Sequence, residues 1–299
     1  MKHCKEEILV KKIYNAIDLF SGAGGLHLGF EKAGVNIKLC IDNDNLVEKT
    51  HRRNFPNIPF LNKDIRDVSL IEIRKYIGNE TIDIIIGGPP CQGFSTIGKR
   101  VSSDPGKRAT HDPRNELVLT YTNLIKQLKP KFVVMENVKG ILTMNGGTYI
   151  NTVLRELRAC GYNAEYKLIN MADYGVPQRR VRCVIVASRK RVVDLPLPTT
   201  PTGHRITVRD AIGDLPAAGF INPKDSLHVC RKHSKITIDR LQHISHDGGS
   251  RDELPAHLRL QCHKKLDDTG EATYYCDVYG RMRWDTVAPT LTTGCTDVT

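Results

Sequence analysis

A thiol sits just beyond a stiff corner in the stretch Thr81-Ile-Asp-Ile-Ile-Ile-Gly-Gly-Pro-Pro-Cys-Gln-Gly-Phe-Ser95. The β-branched run Ile82, Ile84, Ile85, Ile86 predicts a buried strand, and Gly87-Gly88-Pro89-Pro90 ends it. Two glycines let the backbone pass close to a neighbour, and two prolines fix the direction of exit. Cys91 is the first side chain after that corner, at the carboxyl end of a strand, where open α/β sheets bind ligands. Most free cysteines are small buried hydrophobes, yet Gly-Gly-Pro-Pro is a poor way to build core, so Cys91 reads as a nucleophile. Glu136, in Glu136-Asn-Val138, closes a second predicted strand and could do acid–base work or cap a helix. Arg180 and Arg182 offer cations near the end of the same region, or merely a solvated strand edge.

A second cluster surrounds Ser21-Gly22-Ala23-Gly24-Gly25. A short strand over Tyr14–Phe20 precedes it, and an apolar-periodic helix (Leu26, Leu28, Phe30, Ala33) follows. Strand, glycine turn and helix bring backbone N–H groups against a nucleotide-like ligand. Gly22-x-Gly24 is similar to the dinucleotide fingerprint, but His27 occupies its sixth position, so this signal alone also admits a nicotinamide dehydrogenase. Asp42 closes the next strand about 20 residues on, where an acidic side chain commonly accepts ribose hydroxyls.

Alternating elements must hold these residues. After the strand over Asn36–Ile41 come a helix over Asp44–Asn54, a strand over Ile58–Asn62 and helical spacing over Val68–Ile77. Beyond Cys91, Gly93 to Arg114 has no regular period and is polar and basic, as mobile functional loops are. Glu116–Leu128 predicts a helix, Pro130–Met135 a strand, and Thr148–Cys160 a helix closed by Gly161. Two strands, Tyr162–Ile169 and Val181–Ala187, flank the segment Ala172–Arg182. The pattern predicts an α/β fold, a mostly parallel doubly wound (Rossmann-like) sheet with an antiparallel edge. Leu195-Pro-Leu-Pro-Thr-Thr-Pro201 reads as a linker between a domain over 12–195 and a smaller, irregular one over 200–299.

The net charge of +11 favours a polyanionic partner. Residues 200–299 hold 13 basic and 13 acidic residues, so the whole excess lies in the first two-thirds. No run approaches the ~20 apolar residues of a membrane span, and the N-terminus has no apolar signal core, which predicts a cytoplasmic protein. Nine cysteines without a C-x-x-C pair fit reduced thiols. Cys230-Arg-Lys-His233 and His243-Ile-Ser-His246, with Cys262, His263 and Cys276, have spacings zinc could use. The spacing between the pairs is irregular, and no metal is expected.

Asp18-Leu-Phe-Ser-Gly-Ala-Gly-Gly25, Gly88-Pro-Pro-Cys-Gln-Gly-Phe-Ser95, Glu136-Asn-Val138 and Gln178-Arg-Arg-Val-Arg182, in this order, resemble the DNA (cytosine-5) methyltransferases. The resemblance runs from about residue 12 to the end and implies methyl transfer from S-adenosylmethionine to cytosine C5 in double-stranded DNA, as in restriction–modification. Cytosine C5 is too poor a nucleophile unaided, but a thiolate added at C6 makes the ring an enamine. Cys91 would be that thiolate. Glu136 would protonate or hydrogen-bond N3, and Arg182 with Arg180 would neutralise charge at the cytosine O2 and the phosphate.

By the same match Phe20 would pack on adenine, and Ser21, Gly22, Ala23, Gly24 and Gly25 would face the methionine portion. Asp42 would take the ribose, Asp64 and Ile65 the adenine edge, and Pro90 and Leu117 would line the pocket. The cytosine must leave the duplex to reach Cys91. The basic loop would close over it, with Gln92, Ser95, Lys99, Arg100, Lys107, Arg108 and Arg114 against DNA. The region after 199 would be a target-recognition domain reading base edges, closed by Asp277–Thr293. Family members normally return to the catalytic domain with a final segment, which would begin about where this sequence stops, at Thr299. Either the chain is truncated or a second polypeptide would complete the enzyme; another reading is a DNA-binding module silent alone, and the same chemistry on RNA is a further alternative.

Overall fold

A computed structural model of the protein describes residues 13–89, 116–190, 193–216, 233–260 and 279–291. These residues form two compact units, 1–169 with 181–196, and 170–180 with 197–299. Cys91 and Pro90 lie outside the described residues, as do Gln92, Ser95, Lys99, Arg100, Lys107, Arg108 and Arg114 of the basic loop.

The first unit is a seven-stranded sheet in the order β3-β2-β1-β4-β5-β7-β6. Its strands are β1 (Asn15–Leu19), β2 (Asn36–Asp42), β3 (Phe60–Asn62), β4 (Ile84–Gly87), β5 (Phe132–Val138), β6 (Asn163–Asn170) and β7 (Val181–Ser188). The first five are parallel to one another. Order 3-2-1-4-5 puts a reversal of winding between β1 and β4, where the loops after both strands diverge and leave a crevice. The expected antiparallel strand is present as β7, paired with β5. It lies one place in from the edge, which β6 occupies.

Alternation along the strands builds two cores. Ile17, Leu19, Leu39, Ile41, Ile85, Val133 and Met135 face one way. They pack on α3 (Leu70–Ile77), α4 (Glu116–Leu128) and α5 (Thr148–Ala159). Ala16, Cys40, Ile84 and Ile86 face the other way, with Leu26 and Phe30 of α1 (Gly25–Lys32) and Val47 of α2 (Asn45–Asn54). Side chains pointing alternately to opposite faces of buried strands require helices on both. Asp44 caps α2 by accepting from Leu46 and Val47, and Ser69 caps α3, so both helices begin one or two residues inside the bounds that periodicity suggests.

Two strand bounds differ from expectation for identifiable reasons. β4 begins at Ile84, because the Asp83 carboxylate takes Lys131 and the Asn15 N–H before the ladder starts. β5 continues through Val138, so Glu136 lies within the strand and does not end it; β7 pairs Glu136 with Val184, Asn137 with Cys183 and Val138 with Arg182. Glu136 is therefore not a helix cap.

In the described part of the second unit, helices are short: α6 (Val208–Ile212) and α7 (Lys235–Gln242). Its core is small, Ile244, Leu254 and Tyr279 with Leu241 and Leu260. Arginines do much of the joining: Arg240 donates to the Leu258 carbonyl and lies 5.6 Å over the Tyr279 ring. Arg281 donates to the Leu241 carbonyl, and Arg209 pairs with Asp285 while lying over Trp284. Among the described residues no helix is long and apolar enough to cross a membrane.

A Cβ on Gly87 would lie 2.3 Å from the Leu19 carbonyl oxygen and 2.8 Å from the Tyr121 ring. Gly87→Ala is expected to destabilise the protein by about 1–3 kcal/mol or more. Urea unfolding checks this, and an unchanged midpoint would contradict the packing.

Candidate active site

Parallel strands bring the turns after β1, β2, β3 and β4 to one edge of the sheet. After β1 the chain enters the left-handed region at Phe20, φ 60°, a costly conformation for a bulky residue that marks a constrained site. The Phe20 ring stacks on Tyr121 at 6.4 Å between centroids. Gly22 and Gly24 also have positive φ, 52° and 93°. At Gly24 a Cβ would lie 2.4 Å from the Phe55 ring, so only glycine fits there. Ser21 donates its N–H to the Ile41 carbonyl and Gly22 its N–H to the Asp42 carboxylate at 2.9 Å. The other Asp42 oxygen accepts from the Asn43 and Asp44 N–H groups. Asp42 thus shapes the glycine turn with three accepted bonds while keeping about one of a carboxylate's roughly four acceptor sites.

After β3, Asp64 holds Arg66 through two parallel N–H bonds of 2.9 and 2.7 Å. Asn43 reaches across from the turn after β2 to the same carboxylate. The Arg66 hydrogen bond, against a smaller opposing effect of burial, lowers the Asp64 carboxyl to about 2. Ile65 and Leu117 are both buried in the main core.

Two buried polar groups at this edge lack partners among the described residues. Asp18 is 1% exposed, and neither of its oxygens makes a hydrogen bond among the described residues. Burial pushes its carboxyl well above the usual range; the His27 backbone N–H opposes this, facing the carboxylate without completing a hydrogen bond, and the Asp42 charge adds to the rise. The Ser21 hydroxyl, also buried, has no partner either. Unpartnered buried groups are expensive and ask for a polar ligand.

At the β4 corner the backbone runs against β5. A Cβ on Gly88 would lie 3.3 Å from the Glu136 Oε2, and Asn137 donates its side-chain amide to the Pro89 carbonyl at 3.3 Å. Glu136 accepts from the Arg182 Nε at 2.9 Å, its side chain 29% exposed and that of Arg182 13%. The pair is diagonal across β5 and β7, within reach of a long side chain. Cys183, on the opposite face, is pushed up to about 12 by burial and then by the Glu136 charge.

A model of the C-5 cytosine-specific DNA methylase family matches residues 14–298. The chain belongs to this family. The Type II methylase M.HgiDII of Herpetosiphon aurantiacus is 36% identical over 282 residues, 93% of this chain and 75% of that protein. The Type II methyltransferase M.XorII of Xanthomonas oryzae pv. oryzae is 45% identical over 208 residues, 68% of this chain and 46% of its own. The matched stretch therefore spans between about half and three quarters of these relatives. A prophage-encoded E. coli protein described as a DNA modification methyltransferase has the same fold, with a TM-score of 0.68 at 24% identity over 93% of this chain and 82% of its own.

In this family member the structure gathers Phe20, the glycine turn, Asp42, Asp64 and Ile65 at the edge where Gly88, Pro89, Glu136 and Arg182 also lie. Arg180 belongs to the second unit, where its carbonyl accepts from the Met171 N–H. The neighbouring Arg179 donates its N–H to the Ala288 carbonyl, and its own carbonyl takes the Thr290 hydroxyl. The two late stretches carrying the resemblance, 178–182 and 277–293, are thereby joined in part. Asp18 and Asn137 escaped sequence reasoning although both stand inside the quoted motifs; a lone Asp in an apolar strand was the one available signal for Asp18.

The Asp64 pair sets a pH dependence. Because its folded pKa is depressed, its stabilisation is complete above about pH 4 and lost as pH falls through about 2. Asp64→Asn is expected to lower stability at pH 6 by about 1 kcal/mol or less, given solvent screening. The difference from wild type should vanish near pH 2 in urea titrations, and a difference that grew on acidification would contradict the assignment.

Proposed function

We propose that this chain transfers a methyl group from S-adenosylmethionine to C5 of a specific cytosine in double-stranded DNA, through a transient Cys91–C6 bond. The observation that carries this is the contact of the β4 corner with Glu136 and Asn137: it fixes the chain two residues before Cys91 beside the Glu136–Arg182 pair. Family membership and the Type II methyltransferase relatives support the same reaction.

The residues present fit the cofactor. Its bound form supplies an electrophilic methyl on a sulfonium. The unpartnered Asp18 carboxylate suits the ammonium of its methionine portion, and the Ser21 hydroxyl its carboxylate. Asp42 keeps about one acceptor site for a ribose hydroxyl, and Phe20 offers apolar surface for adenine. Asp64, Ile65 and Leu117 are less direct partners, the first committed to Arg66 and the other two buried in the core.

Toward DNA, the cytosine would be extruded from the duplex at a cost of a few kcal/mol. The Cys91 thiolate would add to C6 while Glu136, in its protonated form, shares its proton with N3, and electron density would move to C5. Arg182 holds the Glu136 carboxyl in place, and Arg180 would add charge toward the O2 and phosphate, as the family match implies. Once C5 is methylated, a base, for which water suffices, would remove the C5 proton as N3 returns its proton to Glu136, expelling the Cys91 thiolate and restoring the aromatic ring. The basic stretch from Gly93 to Arg114, with Gln92, Ser95, Lys99, Arg100, Lys107, Arg108 and Arg114, would grip phosphates around the extruded nucleotide, and the second unit would read the neighbouring bases.

Bisulfite sequencing of DNA from cells expressing this chain should show methylated cytosines confined to one sequence context. Cys91→Ser should abolish them, and methylation surviving that change would refute the nucleophile. Asp18→Asn is expected to raise the stability of the ligand-free protein by about 1–3 kcal/mol, since it removes a buried unpaired carboxylate. It should also weaken S-adenosylmethionine binding at least tenfold by calorimetry. Unchanged affinity would remove Asp18 from the site.

A further inference from the structure

Behind the glycine turn three ligand-type side chains converge in a pocket that no step of the proposed reaction uses. His27 of α1, Cys40 of β2 and His51 of α2 are each 0% exposed. The His27 Nδ1 lies 3.2 Å from the His51 Nε2 and 3.3 Å from the Cys40 Sγ, and all three atoms lie within 4.8 Å of one another. Apolar aromatic rings enclose them: Phe55 stacks on His27 at 3.8 Å, and Phe60 lies 4.8 Å from His51.

Hydrogen bonding alone does not account for this arrangement. Both short contacts end on one atom, the His27 Nδ1, which has a single in-plane site and can either donate one proton or accept one. The Cys40 thiol and the His51 ring therefore compete for it. The outward nitrogens, His27 Nε2 and His51 Nδ1, have no hydrogen-bond partner among the described residues. A buried ring nitrogen left this way loses its hydration without compensation, and an apolar core would have used Leu or Phe at these places.

We propose that His27, Cys40 and His51 bind a thiophilic d10 cation, Zn2+ or Cu+, through Nδ1, Sγ and Nε2. Around zinc, with Zn–N near 2.0–2.1 Å and Zn–S near 2.3 Å, ligand atoms stand about 3.3–3.6 Å apart, so the two short separations need to open only slightly. Metal binding satisfies all three inward atoms at one centre and turns the His27 Nε2–H outward, where the Glu31 carboxylate lies 3.9 Å away. A carboxylate behind a ligating imidazole is the usual support for such a ligand. The proton lost from the Cys40 thiol on binding leaves to solvent. Bound metal would tie α1, β2 and α2 together beneath Gly24, which lies against the same Phe55 ring that stacks on His27. Its role is structural: it braces the turn without entering the site.

The test is metal analysis of the full chain purified without chelator, followed by Co2+ titration of the metal-stripped protein. Wild type should retain one equivalent of zinc or copper, elemental analysis telling them apart. Co2+ should restore a thiolate-to-cobalt charge-transfer band. Cys40→Ala should lose that equivalent and its band; His51→Phe, which keeps an aromatic ring against Phe55 and Phe60, should lose them too. Cys160→Ala, a change at a partly buried thiol elsewhere, should keep both. Other Cys and His residues occur between 230 and 276, so a band equally strong in wild type and Cys40→Ala would overturn the assignment. A folded wild-type chain with neither metal nor band would do the same.

Discussion

The backbone of Gly87 lies where no side chain fits, between the Leu19 carbonyl of β1 and the ring of Tyr121. Much of the site depends on that closeness. Tyr121, fully buried, stacks on Phe20 and donates its hydroxyl to the Val134 carbonyl. One aromatic side chain thus connects the turn after β1, the corner after β4 and the strand carrying Glu136. One residue further on, Gly88 lies against the Glu136 carboxylate, and Asn137 fixes the Pro89 carbonyl. The glycines are what bring the corner this near to β5. The course of the chain as far as Pro89 is therefore set by packing in the sheet.

The fold was legible where its signals are local. Strand–helix alternation and the buried isoleucines of β4 follow from periodicity and side-chain chemistry. Pairing was less so. The extension of β5 through Glu136, Asn137 and Val138 exists because β7 runs antiparallel beside it, and nothing in Glu-Asn-Val itself forecasts a partner 45 or so residues away in the chain. The Glu136–Arg182 contact is invisible for the same reason: it is a diagonal across two strands, and sequence yields the residues but not the register.

The buried polar groups were the least legible. Asp18 occurs in an apolar strand, His27 replaces a small residue expected of the glycine fingerprint, and His51 reads as part of a polar helix. Burial, not identity, makes them unusual, and burial is a tertiary property. They also share a place, on the face of the sheet covered by α1 and α2, beneath the turn that would hold the cofactor. Structures carry such unsatisfied groups when a ligand or ion completes them.

The second unit is held differently. With a small core, it relies on arginines whose guanidinium groups bond to backbone carbonyls, as at Arg240 and Arg281, or cover aromatic rings, as at Arg209. Such arginines are occupied within the unit, which accords with its balanced charge and with the net positive charge of the first two-thirds. The central claim concerns one thiol, and the most direct measurement is mass spectrometry of this chain after incubation with S-adenosylmethionine and duplex DNA containing 5-fluorocytosine. Fluorine at C5 blocks the final proton loss, so the account predicts a stable protein–DNA adduct that maps to the peptide bearing Cys91. Absence of an adduct from protein that methylates ordinary DNA, or an adduct on any other residue, would contradict it.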